Sequence, residues 1–465
     1  MPSFPARLIA APRRLALLTL VLLLAAGWQP AEAQRPMQYR SLLMQSQMQP
    51  LYFDYFTLPA DSGAPLTFHA IFKLPYSTLP FRKAAEGDST ASFFSTAQLS
   101  IEIFHGTAED LHEPREVEVD GREAVGRAAW TDTARVTTYE RTQSRDHFLE
   151  GSLTVGLEPG VYVYVVQLSR GGDTEGITSR ARAVQVRPYD DQRHGDILFG
   201  KRVNGESLRL LNIGNSVPYA EDFDALVHLP GHGEGDRYAV HVQRLRVQDE
   251  DTTAEATVWE SNLDASQLAD DRNPVFDSEA ISVRLAPGGG TYALLGVPNS
   301  RFPNDWYRMT VTRGEDGPVV ARRTYRSLWR NMPAALYNLE IAVDMLRFIA
   351  DESTVRDIRR GSQAEIERKF RNFWEERDPT PDTEFNELMA EYYRRVDHAF
   401  REFTTEETPG YETDQGRIYI QYGEPRKVER TYPAGEPTTE IWIYEQRRFV
   451  FQATSGYGDF QLVNG

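Results

Sequence analysis

Gly410-Tyr411-Glu412-Thr413-Asp414-Gln415-Gly416-Arg417-Ile418-Tyr419-Ile420-Gln421-Tyr422-Gly423-Glu424-Pro425 is the most narrowly specified stretch of this 465-residue chain. Polar and apolar side chains alternate along 416–422, and glycines close the run at both ends. Alternation between glycines reads as turn, strand, turn, with positive φ expected at the two glycines that flank the strand.

Outward from that stretch, the C-terminal region divides by hydrophobic period. After it, 439–444, 447–451 and 459–463 alternate as strands, and Glu445-Gln446 joins the first two tightly, so 416–463 is expected to form a small antiparallel meander. Before it the period is about 3.6. Pro333 opens a helix whose stripe is Leu336, Leu339, Val343, Leu346 and Ile349. Ser362 with Glu365 forms a capping box ahead of Ile366, Phe370, Phe373 and Trp374, and Asp378-Pro379 stops that helix. A third helix over 383–403 carries Phe385, Leu388, Tyr392, Val396, Ala399, Phe400 and Phe403 on one face. Helices segregated from an antiparallel sheet define an α+β domain over 361–465, reached through a helical connector at 332–360.

The longer N-terminal part has the period of strands. Leu66-Thr67-Phe68-His69-Ala70-Ile71-Phe72, 97–104 and 161–168 are half-buried or buried strands, and 181–186 returns beside the last. A second block repeats the style at 223–229, 238–247, 257–259, 281–285, 290–297 and 306–312. Ala286-Pro287-Gly288-Gly289-Gly290 reads as a hairpin tip. The expected fold is therefore multidomain: two all-β immunoglobulin-like sandwiches at 51–188 and 196–328, linked across 189–196, then the connector and the α+β domain.

Residues 1–33 read as a secretion signal peptide, with Arg7, Arg13 and Arg14 ahead of an apolar run at 15–26 and the small-residue cleavage site Ala31-Glu32-Ala33. The mature chain then begins at Gln34 with a short N-terminal segment, 34–50, and has no transmembrane segment, which makes it an exported protein of the periplasm or the cell surface. With no cysteine, disulfides, thiol catalysis, thiolate metal sites and lipid attachment through cysteine all drop out. The formal charge of −17 argues against nucleic acid as a partner.

The C-terminal residues resemble the bacterial GWxTD domain family, whose signature is Gly-Trp-x-Thr-Asp followed by Gly-Arg-x-Tyr-Ile. Gly410, Thr413 and Asp414 match, and Tyr411 stands where the family has tryptophan. Gly416-Arg417-Ile418-Tyr419-Ile420, Phe373-Trp374, Arg377-Asp378-Pro379-Thr380-Pro381, Asn386-Glu387, Tyr392 with Arg395, and Glu440 with Trp442 and Tyr444 extend the likeness. The resemblance implies an exported bacterial protein with β-rich regions ahead of the signature domain. It brings no activity with it.

Candidate chemistry starts from the carboxylates beside the signature, Asp414, Glu424, Glu440 and Asp459, since two carboxyl groups about 5 to 9 Å apart could act on a glycoside. The competing reading makes Asp414 an acceptor of backbone N–H groups at a turn and pairs Glu440 with Arg417 across neighbouring strands. Arg377-Asp378-Pro379-Thr380-Pro381 is either an interaction loop or a helix stop followed by a helix start capped by Thr380. His228 and His232 have ligand-like spacing, but Pro230-Gly231 breaks any helix that would align them, and Asp249-Glu250-Asp251 and Asp270-Asp271 lack a calcium-loop pattern. No metal and no cofactor is expected. The expectation is a non-enzymatic envelope protein that binds a protein or glycan partner through Tyr411, Thr413, Asp414, Arg417, Tyr419, Tyr422 and Trp442. The alternative is a hydrolase of surface polysaccharide or peptide built on the four carboxylates.

Overall fold

The computed structural model describes residues 31–45, 51–59, 66–85, 91–112, 117–172, 176–188, 195–205, 207–248, 251–432, 437–455 and 459–465. The secretion leader expected at 1–33 falls largely outside them, as do 189–194 of the expected linker. The described residues are mostly strand, with helices gathered toward the C-terminus. They belong to two compact units, one holding 49–331 with 380–385 and the other holding the N-terminal segment with 332–379 and 386–465. Among the described residues, no helix is long and apolar enough to cross a membrane.

In the larger unit, Leu66–Pro75 lies between Tyr52–Pro59 and Phe148–Leu157 in one antiparallel sheet. A second sheet is built on Phe93–His105 and Gly160–Arg170, with Ala124–Val136 and Arg182–Val186 on their outer sides. Leu99, Ile101 and Ile103 from one sheet and Phe68, Ala70 and Phe72 from the other are buried together, the period-two alternation of the sequence turned into a core.

The second β block departs from a plain sandwich. Six strands close into a barrel, Ile197–Asn204, Ser207–Leu210, Ser282–Pro287, Leu268–Asp277, Gly290–Val297 and Phe223–His228 in spatial order, and a five-stranded sheet packs beside it. The Gly288-Gly289-Gly290 link is not a hairpin tip. Ser282–Pro287 and Gly290–Val297 both pair with Leu268–Asp277, which lies between them, so the glycines carry the chain across that strand's end. Leu268–Asp277 was hidden from periodicity by Asp270-Asp271-Arg272-Asn273, where the ladder shifts register and Asp271 takes φ +54°. Phe56, Leu58 and Ile71 of the first block share a buried cluster with Leu198, Leu226, Ile281 and Val283 of the barrel. Arg323 reinforces this junction by donating to Asp54 Oδ2 at 2.5 Å, to Ile197 O at 2.7 Å and to Asn215 Oδ1 at 3.1 Å.

In the smaller unit, the connector is broken where one helix was expected. A 3-10 turn Ala334–Tyr337 precedes the helix Leu339–Met345, and a second 3-10 turn Leu346–Phe348 precedes Glu352–Ile358. Asn338 and Asp351 each accept a backbone N–H, from Ile341 and Thr354, and so restart the helix as capping residues do. Val343 and Leu346 are buried as expected, whereas Ile349 is 43% exposed.

Gln363–Glu375 opens on the expected Ser362/Glu365 capping box. The next helix is Glu387–Phe403, starting four residues later than the stripe suggested because Asn386 caps it, accepting from Met389 N at 2.8 Å. Leu388, assigned to the buried face, is exposed, and Phe385 lies before the helix. Asn386, not Thr380, caps that helix: the Thr380 carbonyl accepts the N–H of Thr383 and its hydroxyl donates to Phe385 O at 3.4 Å.

Residues 416–422 are not a strand but most of a helix, Asp414–Tyr422, capped by Thr413 and closed by Gly423 at φ +78°. The four-stranded sheet begins instead at Lys427–Thr431 and continues through Thr439–Ile443, Arg448–Ser455 and Asp459–Asn464. Tyr444 N to Arg447 O closes the hairpin expected at Glu445-Gln446. Ile418, Tyr419, Trp442, Phe449 and Phe451 form a buried cluster where the helix lies on this sheet.

Candidate functional site

Short-range demands for backbone partners build the signature. Gly410–Glu412 is a 3-10 turn whose first N–H goes to Thr404 Oγ1 at 2.9 Å. Thr413 Oγ1 donates to Gly410 O at 2.8 Å and accepts from Gly416 N at 3.0 Å, so one hydroxyl ends the turn and starts the helix. Gly416 is needed for close approach and not for positive φ: a Cβ there would lie 1.7 Å from Gly410 O. Of the two glycines expected at positive φ, only Gly423 has it.

Two of the four carboxylates, Asp414 and Glu440, serve this framework. Asp414, at the first helical position where the helix dipole favours an anion, accepts Leu462 N at 2.9 Å and ties the helix start to the last strand. Glu440 is buried, and its two oxygens take three donors: Gln415 Nε2 at 3.1 Å and Trp442 Nε1 at 2.6 Å on Oε1, and Arg430 Nε at 2.5 Å on Oε2. A carboxylate offers about four acceptor sites, so little room remains for a substrate proton. The expected Glu440–Arg417 pair is corrected to Glu440–Arg430, which face each other in register on neighbouring strands, while Arg417 stands exposed on the helix. Glu424 is exposed just beyond Gly423, and Asp459 is half-buried at the start of the last strand.

The aromatic residues divide by depth. Tyr411 is 2% exposed, packed between Tyr39 and Phe400 at 5.5 and 5.7 Å, which explains how tyrosine can stand where the resembling family has tryptophan: the ring fills a core position. Tyr419 and Trp442 are buried, with Tyr419 stacked on His398 at 4.1 Å. His398 is held below its usual value, by burial first. Tyr422 alone among the expected ligand-facing aromatics stands 37% exposed, its hydroxyl accepting from Arg447 Nη1 at 3.0 Å. Beside it, Tyr444 donates to Gly423 O at 2.8 Å, and Glu391 takes Arg394 and Arg395 Nε at 2.8 and 2.7 Å. The exposed edge of the signature is thus Arg417, Tyr422, Glu424 and Arg447.

Sequence reading missed Gln415, Arg430 and Asp397. Asp397 had a signal: it falls on the buried face of Glu387–Phe403 between Tyr393 and Phe400, where an unexplained carboxylate implies a partner. Elsewhere, His228 stacks on Tyr292 at 5.1 Å and His232 Nδ1 lies 3.0 Å from the Tyr238 hydroxyl, each occupied by its own aromatic. Asp270 Oδ1 accepts from Thr291 Oγ1 at 2.7 Å, while Asp249 and Glu250 lie outside the described residues. Among the described residues there is no group of three or more His, Asp or Glu placed to hold a metal ion.

A β-rich chain that ends in a helix-on-sheet unit, with its signature spent on turn and cap contacts, defines the class. Residues 326–460 match the family model of the GWxTD domain, and the chain carries that domain. No curated protein matches the chain. Solved structures to which it is similar include the C-terminal domain of the Streptococcus pyogenes antigen I/II-family protein AspA and the C-terminal domain of the Streptococcus agalactiae AgI/II polypeptide BspA. Each is 11% identical and covers 60% of this chain and 100% of the other, at a TM-score of 0.14.

Proposed function

We propose that this is an exported bacterial cell-envelope protein that works by binding: a β-sandwich, a β block that includes a closed barrel and a segmented helical connector carry the GWxTD domain, which engages an envelope protein or glycan. The observation that carries the reading is the state of the signature carboxylates. Asp414 is spent on the Leu462 N–H and Glu440 on three donors, as expected of groups that hold a fold and not of an acid/base pair awaiting a substrate. The exposed edge at Tyr422 and Arg447, an aromatic face beside a cation, is the part of the domain suited to contact a partner.

Purified mature chain, immobilised and exposed to envelope extract and to isolated surface polysaccharide, is expected to retain one defined component. That retention should fall on Tyr422→Ala with Arg447→Ala and survive Asp414→Asn. Retention of nothing across a range of salt concentrations counts against binding. Hydrolysis of the polysaccharide that disappears in Asp414→Asn, with the melting temperature unchanged, replaces this reading with the hydrolase.

A further inference from the structure

The helix Ala31–Gln45 is far in sequence from the smaller unit's other elements, yet its side chains sit within that unit's core. Tyr39 is 1% and Leu43 6% exposed, in one buried cluster with Ala334, Tyr393, Phe400 and Tyr411. The Tyr39 hydroxyl donates to Asp397 Oδ1 at 2.5 Å, while Asp397 Oδ2 accepts Ala334 N at 2.9 Å. The phenol is pushed well above its ordinary value, first by burial and then by the Asp397 carboxylate, so it remains a donor across the physiological range.

Of the other described side chains, Leu42 is half-buried against the same cluster, whereas several stand in solvent. Met37 and Met44 are 73% and 60% exposed, and Pro36 removes one backbone hydrogen bond from its interior. Helices of about 15 residues or fewer are marginal by themselves in water, so this one depends on its groove. Two buried anchors four residues apart and one hydrogen bond to a buried carboxylate are the recognition pattern of a helix held in a groove.

We propose that residues 36–44 are a releasable latch: the GWxTD domain contains a receptor groove for a helical peptide bearing tyrosine and, four residues on, leucine, and the chain's own N-terminal segment is its resident ligand. Asp397 supplies selectivity, because a ligand without a donor at the tyrosine position leaves Oδ1 without the phenol it accepts from. Release exposes Phe400 and Tyr411 and lets the freed segment unfold, coupling the state of the N-terminus to the signature turn. This inference is independent of what the Tyr422 edge binds.

Hydrogen exchange on the full chain tests it. Amides of 38–44 are expected to exchange at least a hundredfold faster than those in the middle of Glu387–Phe403, with Tyr39→Phe accelerating them a further tenfold and leaving Glu387–Phe403 unmoved. Equal rates for the two helices, or equal acceleration of both, would show an integral core element and overturn the latch. In a second arm, a fluorescent peptide of residues 34–45 is added to the full chain carrying Tyr39→Ala and Leu43→Ala. It is expected to bind, and to lose at least tenfold in affinity when Asp397→Asn is added. Failure to bind that folded variant, or binding indifferent to Asp397, also overturns the proposal.

Discussion

Gly416 lies against the carbonyl of Gly410, so near that a Cβ on residue 416 would come within 1.7 Å of that oxygen. Gly410 is confined in the same way, 1.9 Å separating its hypothetical Cβ from Ala399 O. Both obstacles are backbone, which cannot swing aside as a side chain can, so Gly416→Ala and Gly410→Ala should each lower the stability of the GWxTD domain by about 3 kcal/mol or more. Thr413→Ala, which removes the cap but introduces no clash, should cost about 1 kcal/mol. Urea unfolding followed by near-UV circular dichroism ranks them, and a Gly416→Ala variant as stable as Thr413→Ala would contradict the close-approach account.

Those glycines also show where sequence reading succeeds and where it stops. Helices whose boundary is signed by a capping side chain and whose stripe is long, such as Gln363–Glu375, were legible almost to the residue. Asp414–Tyr422 was not, since Ile418, Tyr419 and Ile420 favour strands by type. What overrides that preference is burial on successive positions, with Gln415, Gly416, Ile418, Tyr419 and Ile420 all enclosed, a pattern a half-exposed strand cannot give. Thr413 in front of a glycine-spaced run was the available clue, read as turn chemistry when it was a cap. Long-range partners left no such mark: Arg430 with Glu440 and Tyr39 with Asp397 are matched only after the chain has folded.

Glu440 gives a direct separation of structural from catalytic carboxylates. Glu440→Gln keeps the shape, loses the charge-assisted bond to Arg430 and puts an amide group into a site where all three neighbours are donors. The expected cost is about 2 to 3 kcal/mol, with a shift in tryptophan emission from Trp442. Glu424→Gln, at an exposed position, should stay within about 0.5 kcal/mol of the parent. Similar losses for the two would show that Glu440 is not the keystone its contacts make it.

Arg323 is expected to be the most sensitive cation of the larger unit. Its guanidinium reaches Asp54, Ile197 O and Asn215 at once and lies 4.7 Å over the Phe199 ring. Lysine cannot span three acceptors in one plane, so Arg323→Lys should destabilise by about 2 kcal/mol, and Arg323→Ala by about 3 to 5 kcal/mol because Asp54 is left without its cation. Asp54→Asn with Arg323→Met should recover part of that loss, a coupling that a double-mutant cycle measures.

The pH response of the larger unit should follow its two buried histidines. His69 lies between Phe56 and Phe276 at 5.2 and 4.7 Å with Nδ1 3.1 Å from Thr154 Oγ1, and His228 stacks on Tyr292. Burial lowers each to about 4. An unfolded histidine titrates near about 6.5, so between the two values the unfolded chain binds more protons than the folded one, and stability must fall as pH drops through this window. Above about pH 7 the two groups contribute no slope, and below about pH 4 their contribution has levelled off. Within the window each adds at most about 1.4 kcal/mol per pH unit. His69→Phe, whose ring fits the same aromatic slot, should therefore remove about half of the slope measured by urea unfolding between pH 6.5 and 4.5, and adding His228→Phe most of what remains. A slope that survives both substitutions would assign the acid sensitivity of this unit to its carboxylates instead.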